Sequence, residues 1–163
     1  MELRGETAGD AEAVEALYDL AFGPGRTALS SYRLRRGPPV ARCGHVVAAP
    51  WGLVGAIRAW PVAVGDTPAL LVGPVAVHPA HQGEGLGGRL MAALAAGAEG
   101  WDRALLVGDA PYYARFGFAR LEGVDMPPPT EPARVLGRAL RPGAWDGVAG
   151  PVRPLEPGAP GSD

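Results

Sequence analysis

Apolar and polar positions along the chain fall into two rhythms, one helical and one of nearly unbroken apolar runs. Leu3 to Glu6 reads as a short strand. Thr7-Ala8-Gly9-Asp10 then carries an acidic residue three positions after a hydroxyl, as a capping box does, and Val14, Leu17, Tyr18 and Ala21 follow at helical spacing. This predicts a first helix ending at Phe22-Gly23-Pro24. Arg26 to Arg36 reads as a second helix rich in arginine, either a solvated face or an anion-steering one. His45–Ala49 and Leu53–Val64 predict two strands joined at Pro50-Trp51-Gly52. Ala69 to Val77 is almost wholly apolar, the pattern of a central strand covered on both faces. Gly73-Pro74 inside it predicts a distortion just before Val75, since proline donates nothing to a ladder. From Gly85 a helix follows with Leu86, Leu90, Met91, Leu94, Ala95 and Ala98 on one stripe. Arg103–Val107 reads as a buried strand, Ala110–Phe116 as a short helix and Phe118–Leu121 as a strand. The mixed order predicts an α/β (α+β) sandwich, a mixed sheet with helices on both faces, as one domain over residues 1–150.

Composition adjusts this picture in a few places. Glycine (25) and proline (18) are abundant in the 163 residues, yet they punctuate periodic segments until they thicken at Met126-Pro127-Pro128-Pro129 and after residue 150. Residues 151–163 therefore read as a Pro/Gly-rich tail, disordered or loosely draped. A formal net charge of −2 gives no global basic field, so neither nucleic acid nor an anionic membrane is an expected partner. No apolar run has membrane-spanning length and no signal pattern opens the chain, which together predict a cytoplasmic protein. The cations are all arginine. That bias fits a GC-rich, bacterial genome, and it removes lysine Schiff-base chemistry. The single cysteine, Cys43, excludes an internal disulfide and reads as a small buried apolar residue. No His, Asp or Glu cluster has metal-ligand spacing, so no metal is expected.

The chemistry concentrates where the central strand runs into His78-Pro79-Ala80-His81-Gln82-Gly83-Glu84-Gly85-Leu86-Gly87-Gly88 and then a helix. Alternating glycines let successive backbone N–H groups face one point. The first turn of a helix adds unsatisfied donors and the positive end of the dipole, so a phosphate is the natural guest. Gly83-x-Gly85-x-x-Gly88 also spells the dinucleotide fingerprint, with Asp109 about 20 residues further on. Its context is wrong: residues 78–82, proline included, separate strand from glycine, where that fingerprint needs a tight turn. No Gly-Lys-Ser/Thr follows, which excludes a Walker-type loop.

Gln82-x-x-Gly85-x-Gly87 after a distorted apolar strand resembles the pyrophosphate loop of the GNAT N-acetyltransferases. Tyr112-Tyr113-Ala114-Arg115-Phe116-Gly117-Phe118 is similar to that superfamily's tyrosine-x-x-x-glycine-phenylalanine segment. Gly73-Pro74-Val75-Ala76-Val77, Gly108-Asp109-Ala110-Pro111-Tyr112-Tyr113 and the stretch Pro142 to Gly150 look like its YhbS-like branch. The resemblance implies a GNAT-like splayed sheet, acetyl-CoA as donor, and a small-molecule or peptide amine as acceptor, in a monomer or homodimer. It places pantetheine on the backbone of Val75, Ala76 and Val77. The diphosphate would lie on the N–H groups of Gly83, Glu84, Gly85, Leu86, Gly87 and Gly88, with Gln82 nearby and Arg89 either reaching a phosphate or solvated.

Tyr113 matches the general-acid position, with a packing aromatic as the plainer alternative; Tyr112 is expected to face the core. No carboxylate stands on the central strand to act as base. Asp109 is a catalytic candidate that is equally placed to cap the following helix, and His78 and His81 are possible proton relays. Residues Phe22 to Arg36, with Arg58 and Trp60, would shape the acceptor site. Arg58 reads either as a partner for an acceptor carboxylate or as an exposed strand charge. A non-catalytic acyl-CoA-binding module is the rival function.

Overall fold

The structure, a computed structural model, describes residues 1–23, 25–26 and 30–155. In chain order the elements are β1 (Glu2–Gly5), α1 (Ala11–Phe22), β2 (His45–Ala49), β3 (Gly52–Val64), β4 (Thr67–Val77), α2 (Leu86–Gly97), β5 (Arg103–Val107), α3 (Ala110–Tyr113), β6 (Ala119–Arg120), β7 (Val124–Asp125), β8 (Val135–Ala139) and β9 (Gly150–Pro154). The strands form an open mixed sheet ordered β1-β2-β3-β4-β5-β8-β6, with β9 lying beside the end of β3 and pairing with β7. Along the main path β4 and β5 are parallel and every other neighbouring pair is antiparallel.

Alternation along the strands loads both faces. Val47, Val54, Ile57, Ala59, Leu70, Val72, Ala104 and Leu106 pack with Leu86, Leu90, Met91 and Leu94 of α2. Val46, Ala56 and Ala76 point the other way and meet Val14, Leu17 and Tyr18 of α1. The two long helices therefore cover opposite faces, and β3 and β4 carry apolar residues on both sides as central strands do. At the N-terminus of α1 the Asp10 carboxylate accepts from the Thr7 N–H (2.8 Å) and hydroxyl (3.0 Å) and pairs with Arg4 (2.7 Å). Together these bonds hold its carboxyl well below the usual carboxylate range, with the Arg4 hydrogen bond as the main cause.

The distortion expected before Val75 is present, and it shapes the molecule. Ile57 faces Val75 while Ala59 faces Val72, so β4 carries one extra residue at Gly73–Pro74, whose peptide is cis. The Tyr18 hydroxyl donates to the Pro74 carbonyl (3.0 Å), tying α1 to the bulge. The β4–β5 ladder is confined to Leu70–Ala104 and Leu71–Leu105. Beyond Leu71 the two strands part, and the β5-facing edge of β4 lies open.

Two expectations need correction. Within the stretch Arg26–Arg36 the described residues form only a 3-10 turn, Ser30–Leu34; Pro24 and residues 27–29 lie outside the described part. Among the described residues there Leu34 is the buried apolar side chain, and a short segment gains little from its own hydrogen bonds. The tail does not begin at 151: Gly150–Pro154 make β9, and Val152 is buried against β3. The rest of the expected tail, residues 156–163, lies outside the described residues. No helix is long and apolar enough to cross a membrane, among the described residues.

Candidate functional site

The fork between β4 and β5 opens a slot of about 160 Å³, walled by Val72–Val75 on one side and by Leu106, Val107 and Tyr113 on the other. Phe22, Tyr32 and Arg35 also line it. Val75 and Val77 also border a second, wider cleft of about 630 Å³, whose rim is the glycine-rich loop and α3. The two openings meet at Val75 and Tyr113.

The loop is built by local conformation. The His78 ring nitrogen accepts from the Ala80 N–H (3.1 Å) at the start of a 3-10 turn, Pro79–His81. Gly83 and Gly85 then adopt φ of 84° and 80°, left-handed values that favour glycine, and Gly85 caps α2. A Cβ at either would meet nothing within 4 Å, so these glycines serve the turn and leave open space above the backbone. Gly87 and Gly88 differ: a Cβ there would lie 3.2 Å from the Tyr112 hydroxyl and 3.4 Å from the Phe116 ring. They let α2 approach α3 closely. The first N–H groups of α2 have no intrahelical acceptor and open toward the cleft. An anion there gains from both donors and dipole. The 3-10 turn between β4 and Gly83 also confirms that the dinucleotide-type tight turn is absent.

Around the cleft the structure brings together Val75, Val77, Gln82, Gly83, Gly85, Leu86, Gly87, Gly88 and Tyr113, as the sequence suggested. Ala76 and Glu84 can offer only their backbone, the part expected of them. Ala76 is buried toward α1, leaving only its backbone on the β4 edge. Glu84 turns outward to His81 (3.2 Å). Arg89 is exposed and does not line the cleft. Sequence reasoning passed over Arg115, which lines the cleft with its guanidinium over the Tyr112 ring (4.6 Å). Its place two residues after Tyr113 was the available signal.

Of the tyrosine pair, Tyr113 lines the slot and the cleft, whereas Tyr112 does not face the core as expected. Tyr112 is 39% exposed, whereas Tyr113 is half-buried and packs on Phe116, Phe118 and the α2-side core. One residue of helix rotates a side chain by about 100°, so of two neighbouring tyrosines in α3 only one can pack on Phe116 and Phe118 from the core side, and that one is Tyr113. Burial, with a smaller contribution from Tyr112, pushes the Tyr113 hydroxyl above its ordinary pKa, so it holds its proton at neutral pH. Asp109 is exposed, and its carboxylate caps α3 by accepting from the Tyr112 N–H (3.2 Å).

On the acceptor side Phe22 is 45% exposed at the mouth of the slot. Arg58 is neither exposed nor free. It grips Glu6 with two bonds (3.0 and 2.7 Å) and donates to Glu15 (2.9 Å), which satisfies the guanidinium internally and raises its pKa, chiefly through Glu6. The pairing with an acceptor carboxylate expected of Arg58 therefore finds its donors taken. Among the described residues no group of three or more His, Cys, Asp or Glu gathers to hold a metal.

Residues 41–120 match the acetyltransferase (GNAT) domain family. Among solved structures the chain is similar to the Escherichia coli GNAT family N-acetyltransferase YhbS in complex with CoA, at 25% identity over 95% of this chain and 89% of that one, TM-score 0.73. It is also similar to a GNAT family acetyltransferase from Brucella melitensis in complex with acetyl-CoA, at 27% identity over 94% and 95% of the two chains, TM-score 0.67. Arabidopsis thaliana Naa50 shares the fold at 14% identity, TM-score 0.59, over 84% of this chain and 97% of that one. No curated protein matches the sequence.

Proposed function

Because this chain is a GNAT-fold acetyltransferase, we propose that it moves the acetyl group of acetyl-CoA to an amine that enters beside Phe22, with Tyr113 as the proton donor. The observation that carries this reading is the join at Tyr113 between a slot along an open strand edge and a cleft rimmed by helix-terminal N–H groups. A long, thin ligand with an anionic middle and a neutral arm fits that shape. The residues present suit coenzyme A: unpaired backbone on β4 for the pantetheine amides, and side-chain-free glycines for the diphosphate. Arg115 adds a positive charge on the same cleft.

Bound acetyl-CoA would supply an activated acetyl thioester; the rest falls to the chain. N–H groups on the open edge of β4 would stabilise the negative charge that develops on the thioester oxygen. The amine must arrive uncharged. A free alkyl ammonium loses its proton near pH ~10.4, so neutrality opposes this by roughly 4–5 kcal/mol. No carboxylate or histidine lines the slot among the described residues, so the proton passes to water. The departing thiolate sulfur takes a proton from the Tyr113 hydroxyl, which its raised pKa keeps loaded.

Release of free thiol from acetyl-CoA across a panel of amines, with wild type beside Tyr113→Phe, tests the proposal. Turnover with at least one amine, reduced about 10²-fold or more in Tyr113→Phe with coenzyme affinity unchanged, is the expected outcome. Full activity of the phenylalanine variant removes Tyr113 from the chemistry.

A further inference from the structure

Three arginines converge above the bulge, and only two of them are neutralised. Arg26 is paired with Asp19 (2.8 Å) and Glu15 (3.0 Å), and Arg58 with Glu6 and Glu15. Arg35 has no carboxylate among the described residues. Its guanidinium lies over the Tyr32 ring (4.3 Å), and its Nε is buried with no hydrogen-bond acceptor. The Tyr32 hydroxyl already accepts from Arg26 (2.5 Å). A buried donor left unmade is costly, and a buried cation without a counter-charge more so. Burial accordingly lowers the Arg35 pKa, although a guanidinium stays protonated.

The position of Arg35 says what the missing acceptor is. It lines both the fork slot and an adjoining cavity of about 240 Å³ that also contains Trp60, whose buried indole N–H is unpartnered too. Gly73 makes room for it: a Cβ there would stand 3.1 Å from Arg35 Nη2. The guanidinium thus hangs over the bulge and shares the slot with Phe22, beside which the amine is proposed to enter. It does not border the glycine-rich cleft, so the anion it lacks is not the coenzyme diphosphate.

We infer that Arg35 is an acceptor-binding residue, and that the acceptor of this enzyme is a small amine bearing a carboxylate, which Arg35 holds while the amine faces the thioester. The inference rests on the acetyl-transfer reading above. The adjoining cavity that Arg35 lines with Trp60, about 240 Å³, is below the roughly 300–1,000 Å³ of ordinary ligand sites, and so favours a compact amino-acid-sized acceptor. A planar guanidinium pairs with a carboxylate through two parallel bonds, which fixes orientation as well as affinity.

N-acetylglycine and N-acetyl-β-alanine, each against its carboxamide, are titrated calorimetrically into the protein saturated with CoA. The acids should bind about 10- to 100-fold tighter than the amides, the range of a charge-assisted hydrogen bond. Arg35→Gln should erase the difference and Arg35→Lys should keep part of it, with acetyl-CoA affinity and melting temperature as controls on folding. Equal binding of acid and amide, binding of neither, or discrimination that survives in Arg35→Gln overturns the inference. Thiol release with amino acids and their decarboxylated counterparts separates the two readings. Acid–amide discrimination without any turnover would sink the transferase reading and leave the carboxylate site standing; turnover indifferent to the carboxylate would do the reverse.

Discussion

Gly108→Ala offers a way to move Tyr113 without altering it. Gly108 sits at the end of β5, and its φ lies outside the left-handed range, so alanine meets no backbone strain there. A Cβ at that position would stand 2.5 Å from Cε2 and 2.9 Å from Cδ2 of the Tyr113 ring. Carbon atoms settle at about 3.5–4.0 Å, so the ring must retreat by roughly 1 Å. It cannot retreat freely, because Tyr112, Phe116 and Phe118 surround it with ring centroids 5.0–6.2 Å away. Overpacking of this kind costs about 1–3 kcal/mol, and for a chain of this size each kcal/mol lowers Tm by about 2–4 °C. A misplacement of about 1 Å in a reacting group costs on the order of 10² in rate. Gly108→Ala should therefore lose about 10²-fold in kcat while KM for acetyl-CoA moves little, because the glycine-rich loop is untouched. The diagnostic assay is the double mutant: if Gly108 acts only through the Tyr113 hydroxyl, adding Gly108→Ala to Tyr113→Phe removes little further activity. Fully additive losses would refute the reasoning and make the effect a general disturbance of the slot.

Gly85→Ala places a Cβ at φ 80°, a conformation costing about 1–2 kcal/mol for an L-residue. Since the loop is exposed, the loss should appear as a 5- to 30-fold weaker acetyl-CoA Kd, measured by calorimetry, with the melting temperature of the free protein nearly unchanged. Asp10 has a folded pKa below its unfolded value near 3.9, so its contribution is complete above the unfolded value and is lost progressively as pH falls from there through the folded one. Thermal unfolding of wild type and Asp10→Asn should thus show a constant gap from pH 5 to 8 that closes below about pH 4. Arg58→Ala leaves the Glu6 carboxylate without its partner and should lower Tm by several degrees, while Arg58→Lys recovers only part of that, because an ammonium cannot make the two parallel bonds seen with Glu6.

What the sequence determined by itself is whatever depends on near neighbours in the chain. The left-handed turns at Gly83 and Gly85, the cap at Asp109, the amphipathic stripe of α2 and the bulge at Gly73–Pro74 are backbone requirements that only certain residues meet, and they can be read from spacing. The loop and the distorted strand were legible for that reason; the fork and the place of Tyr113 came from the resemblance to a family. Tertiary structure decided what depends on partners far along the chain. Val152 reads as tail until β3 is there to pair with it; Gly150–Pro154 is a strand only in company. Tyr112 reads as a core residue until the fold shows the place against Phe118 taken by Tyr113, which leaves Tyr112 exposed. Arg58 and Arg35 are the same residue type, yet one meets Glu6, which lies 52 positions away in the chain, and the other meets no carboxylate among the described residues. Charge pairing at that separation is settled by which surfaces the fold brings together, because a guanidinium can satisfy any carboxylate within reach and the sequence does not say which will be there.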